Sequence, residues 1–91
     1  MPRALAQLKE ILAYIERDSL DVADKVKAEF ESAFELLARH PGLGRSRDDL
    51  ARQSVKFWTV HPFLVAYDPA ASPLEIVAVF RSARHAREWF G

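Results

Sequence analysis

The chain contains no cysteine, which removes disulfides, thiolate zinc sites and cysteine nucleophiles at once. It carries no net charge, with thirteen basic residues against thirteen acidic ones. Binding that depends on many phosphate contacts would therefore have to come from a local patch rather than from the whole surface. Long hydrophobic runs are also missing. Lys9 and Glu10 follow closely on Met1-Pro2-Arg3-Ala4-Leu5, and no stretch reaches the length of a signal-peptide core or a membrane span, so a soluble, cytoplasmic protein is expected. Glycine is scarce, at three residues, and none sits in a phosphate-binding loop. Pro41-Gly42-Leu43-Gly44-Arg45 lacks a lysine-serine pair and reads as a helix stop.

Other absences concern constellations of residues. His40, His61 and His85 fall on three separate connectors without the close spacing of metal ligands, so neither a metal nor a cofactor is expected. Ser54 and Ser82 have no glycine elbow around them. Glu10 with Glu16, and Glu31 with Glu35, are carboxylate pairs, but they lie among lysines on faces expected to be solvated.

What is present is a small chain of 91 residues with an uneven charge distribution. At this length about 60 to 65% of the unfolded surface can be buried, which is enough for one domain, spanning 1–91, and one site. Residues 1–36 hold eight carboxylates against five cations, and the rest of the chain holds eight cations against five carboxylates. Seven of those eight cations, Arg39, Arg45, Arg47, Arg52, Arg81, Arg84 and Arg87, are arginines, suited to bidentate contact with carboxylate or phosphate.

Hydrophobic spacing divides the chain into a helical part and a β part. Leu5, Leu8, Ile11, Leu12 and Ile15 recur at intervals of three and four and predict a helix over Arg3–Arg17. Asp18 and Ser19 supply N-caps for a second helix over Leu20–Arg39, whose stripe is Val22, Val26, Phe30, Ala33 or Phe34, and Leu37. The short break between them predicts an antiparallel helical hairpin. After the polar connector 42–52 the period drops to two. Residues 54–60, 63–67 and 74–80 read as three strands joined by turns at His61-Pro62 and at residues 68–73. The fold class expected is α+β, with an N-terminal antiparallel helical hairpin packed on a three-stranded antiparallel β-meander in two layers. A short C-terminal helix over 83–90 would tuck Trp89 and Phe90 against the sheet.

The apolar run Leu74 to Phe80 passes directly into Arg81-Ser82-Ala83-Arg84-His85-Ala86-Arg87, so cations stand at the end of a rigid element. Lys56, Arg81, Arg84 and His85 would converge if the first and third strands flank the second. Such a group either stabilises a phosphate transition state or binds an acidic segment of a partner. Alternatively, Arg81 and Arg84 make ion pairs with Asp48, Asp49 or Glu88.

Four segments in this order, Leu5-Ala6-Gln7-Leu8-Lys9-Glu10-Ile11 with Tyr14-Ile15, Leu37 to Arg45, Phe63-Leu64-Val65-Ala66-Tyr67 and Ile76 to His85, resemble the RelE/ParE superfamily of toxins from type II toxin-antitoxin systems. The connector ending in glycine-arginine and the strand ending in a basic cluster are closest to the ParE, or plasmid-stabilisation, branch. The resemblance implies a growth-inhibiting toxin neutralised by a cognate antitoxin, with assembly as a heterotetramer with that antitoxin or as a homodimer. ParE-like members poison DNA gyrase, whereas RelE-like members cut mRNA on the ribosome, often with a C-terminal tyrosine. Here the tyrosines are Tyr14 and Tyr67 and the tail has Trp89 and Phe90 instead, which favours gyrase. The target-binding residues implied are Arg81, Arg84, His85 and Arg87, and a nuclease would use Lys56, Arg81 and Arg84. Antitoxin contacts are expected at Leu5, Leu8, Leu12, Trp58, Trp89 and Phe90. An inactive relative that only binds antitoxin is the third reading. Members of the family begin with a strand ahead of the first helix, whereas this sequence opens at the helix. The expectation is either a start further upstream or a bare sheet edge covered by the antitoxin or a second copy, by strand addition.

Overall fold

The computed structural model describes residues 2–51 and 54–90, and Arg52, counted above among the cations, lies outside them. Helix α1 runs Pro2–Glu16 and helix α2 Leu20–Arg39. Proline opens α1, where its missing N–H leaves no hydrogen bond unmade. The Ser19 hydroxyl accepts from the Val22 N–H at 3.2 Å and caps α2. Asp21 in the first turn and Arg39 in the last complement the helix dipole.

The sheet holds strands β1 Lys56–Val60, β2 Phe63–Asp68 and β3 Glu75–Phe80, antiparallel in the order β1-β2-β3. Leu64 to Tyr67 of the central strand are buried without alternation, because both faces of the sheet are covered. On one face Val60, Val65, Tyr67, Ile76 and Val79 meet Ala4, Ile11, Phe30, Ala33 and Leu37 of the helical hairpin. Each large side chain withdrawn from water here contributes about 1.5 to 3 kcal/mol.

The opposite face departs from the two-layer expectation. The connector supplies Leu50, Ala51 and Val55, and helix α3, Ala83–Phe90, supplies Ala86; together they cover Phe57, Leu64, Ala66, Ala78 and Phe80. An eight-residue helix is marginal alone and is held by this packing. Phe90 meets Phe57 and Phe80 edge-on with ring centroids 5.9 and 5.8 Å apart. The register slips between Ala66 and Tyr67, opposite Ala78 and Ile76, and leaves Val77 as an extra residue. That bulge brings Ile76 and Val79 to the same face although they are three apart in sequence.

Two positions assigned to helical stripes lie elsewhere. Leu5 is 44% and Val22 48% exposed, and the buried residues at those turns are Ala4 and Ala23. The stripe is one residue out at each helix start, because a small side chain is what fits where packed elements approach closely.

The connector is tied down through Tyr67. Its buried hydroxyl accepts from the Gly44 N–H at 2.8 Å and donates to the Pro41 carbonyl at 2.6 Å. Arg45 then exchanges two backbone hydrogen bonds with Phe57, of 2.9 and 2.7 Å, and closes the outer edge of β1 at that point.

Candidate functional site

With α1 on one face of β3 and α3 on the other, the outer edge of β3 is left at the bottom of a cleft of about 570 Å³. Gln7, Glu10 and Ile11 come from α1, and His85, Glu88 and Trp89 from α3. Val79, Phe80 and Arg81 form the floor and its end. Two cation–π contacts lie beside it: the Arg3 guanidinium 5.4 Å from the centre of the Trp89 ring, and that of Arg81 5.2 Å from the Tyr14 ring.

Inside the cleft the Oε1 of Gln7 accepts a hydrogen bond from the backbone N–H of Val79 at 2.9 Å. The sequence assigned a functional role to neither Gln7 nor Val79. A signal existed: Gln7 is polar, yet lies three residues after buried Ala4 and four before buried Ile11, on the inward side of α1.

The residues expected to form one cationic group are dispersed. Arg81 and His85 line the cleft together with Trp89. Lys56 starts β1 opposite Tyr67, near the end of β2, whereas Arg81 follows the end of β3, which pairs with the start of β2 at Leu64. The meander thus puts Lys56 and Arg81 at diagonal corners of the sheet, separated by roughly 15 Å along the strands alone. Flanking the same strand is not enough for convergence when successive strands reverse direction.

Ion pairing takes up two of the remaining arginines. Arg84 meets Glu88 one helical turn on, at 3.3 Å, and Arg87 stands 3.8 Å from Asp49. Asp49 is held more tightly by Arg47, which donates from Nε and Nη2 at 3.0 and 2.7 Å, and that hydrogen bonding lowers the Asp49 carboxyl below its ordinary value. Arg81 has no carboxylate within 4.0 Å among the described residues. No described group of three or more histidines and carboxylates could hold a metal ion.

The expected antitoxin contacts fall into three situations. Leu5 and Trp89 are exposed on α1 and α3. Leu8 and Trp58 are half-buried against the core under the helical hairpin, and Phe90 against the second core. Leu12 is half-buried on α1.

These features define a small α+β protein with a cleft of mixed polar and apolar lining at a sheet edge, in which the cations expected for nuclease chemistry are not assembled into one site. A family model for the ParE toxin of the type II toxin-antitoxin system parDE matches residues 1–89, and the chain belongs to that family. It is also similar to a protein of Sinorhizobium fredii strain NGR234 named "Putative toxin Y4kP", at 49% identity over 43 residues. That match spans 47% of this chain and 45% of the relative, so it reaches about half the length of each. No described helix is long and apolar enough to cross a membrane.

Proposed function

We propose that the chain is a toxin that arrests growth by binding and poisoning DNA gyrase in the cytoplasm, and that a cognate antitoxin neutralises it. The observation that carries gyrase over mRNA cleavage is the separation of Lys56 from Arg81. A metal-independent nuclease needs its cations around one phosphate, and a binding protein does not. Tyr67 supports the same reading, since its hydroxyl is buried and already engaged with Gly44 and Pro41. Arg81, Arg84, His85 and Arg87 form the target-binding surface, on the exposed end of β3 and on α3. Leu5 and Trp89 offer the antitoxin exposed apolar contacts, and Leu8, Leu12, Trp58 and Phe90 contribute their exposed fractions.

Two assays decide between targets. Purified chain should inhibit gyrase supercoiling and leave ribosome-bound mRNA intact. Cleavage of that mRNA with unaffected supercoiling would replace this reading by the nuclease one.

A further inference from the structure

Of the residues proposed to meet the target, Arg84 and Arg87 face carboxylates, Glu88 and Asp49, which offset part of their charge. Arg81 is held differently. Its guanidinium lies 5.2 Å from the centre of the Tyr14 ring, and although Glu10 and Glu88 line the same cleft, no carboxylate comes within 4.0 Å of it among the described residues. An aromatic face attracts a cation through its quadrupole and brings no opposing charge. A carboxylate in that place would orient Arg81 and also compete with an anionic group of the target, whereas the ring orients it and leaves the charge available.

Both partners stand on fixed backbone. Tyr14 lies between Ile11, which is buried, and Ile15, which packs on the same core, so an exposed ring is carried by a helix seated on the sheet. Arg81 follows directly on Phe80, buried in the second core. The arginine side chain itself is long and exposed, and the rotamer freedom of such a side chain has to be removed when it binds. We propose that Tyr14 is a positioning residue: its ring holds the Arg81 guanidinium in the orientation that meets the target, so that part of this ordering precedes binding. The inference rests on the gyrase reading, because it takes Arg81 as a target-binding residue.

Two variants of the full chain separate positioning from structure. Tyr14→Leu keeps an apolar side chain of good helix preference and loses the π face, whereas Tyr14→Phe keeps the face and loses only the hydroxyl. The concentration of chain that half-inhibits gyrase supercoiling should rise about 2- to 5-fold in Tyr14→Leu and return toward the unaltered value in Tyr14→Phe. Position 14 is exposed, so both melting temperatures should stay within about 2 to 4 °C of the unaltered chain. In the free protein, the NMR shifts of the Arg81 side-chain methylene protons report the ring directly. They should persist in Tyr14→Phe and move to the positions of an unconstrained arginine in Tyr14→Leu.

Arg81 shifts that are the same in Tyr14→Leu and the unaltered chain overturn the contact. Undiminished gyrase inhibition by Tyr14→Leu overturns the positioning role and leaves the gyrase reading intact, and inhibition weakened as much in Tyr14→Phe as in Tyr14→Leu overturns the role of the π face. Failure of the unaltered chain to inhibit gyrase overturns the gyrase reading and the role that rests on it, while the Arg81 shifts still report on the contact alone.

Discussion

At Gly44 a missing side chain has a definite consequence. A Cβ there would run into the hydroxyl and a ring carbon of Tyr67, and would lie 2.9 Å from the Phe57 carbonyl. Gly44→Ala should therefore cost about 1 to 3 kcal/mol, measured by urea denaturation. Tyr67→Phe leaves the Gly44 N–H and the Pro41 carbonyl without their partner, and a loss of about 1 to 3 kcal/mol is expected. The same hydroxyl gives a pH test. Burial pushes the Tyr67 hydroxyl above its ordinary value of 10.0, with the Gly44 N–H opposing the shift. The folded state holds this proton more tightly than the unfolded one, so the contribution is intact below about pH 10 and is lost as pH rises through the folded value. Urea midpoints on either side of pH 10 should show the unaltered chain losing stability relative to Tyr67→Phe at the alkaline end. Sequence marks Tyr67 only as a strand residue, because its partners lie 23 and 26 positions away.

Among the elements, α3 depends most on its surroundings. Its attachment includes Ala86, fully buried, Phe90, set edge-on to Phe57 and Phe80, and Trp89, whose ring meets Phe80. Phe90→Ala should cost about 1 to 3 kcal/mol, since the ring is only half-buried, and should speed exchange of α3 amides more than those of β2. Retained α3 protection in that variant would show that Ala86 and Trp89 suffice. The helices themselves were legible: α2 runs Leu20–Arg39, the range its caps and spacing predict. The strands were legible to within two residues, because β-branched and aromatic runs bounded by proline turns have few alternatives. Less legible was which residue of each helix start faces inward. Val22 and Ala23 are both compatible with the period, and only close approach to the core selects the smaller one.

For the whole molecule, the test of target binding is the pair Arg81 and Arg84. Both are exposed, so replacing them by alanine should shift the melting temperature by no more than about 2 to 4 °C. Growth arrest on expression should be lost in the double variant. Retained arrest would move the target surface away from the end of β3.

Several properties follow from the sequence without any coordinates. Two amphipathic helices, three strands and a terminal helix follow from apolar spacing, and the absence of cysteine removes disulfides and thiolate chemistry. Which cations meet is decided only by the tertiary structure. Strand reversal sends Lys56 and Arg81 to opposite corners, and the fold brings Arg87 within 3.8 Å of Asp49, 38 positions earlier in the sequence. The cleft beside β3 is tertiary as well, because the contact of Gln7 with Val79 joins residues 72 positions apart. Local propensity acts over a few residues, whereas a site built at a sheet edge depends on how separate elements stack.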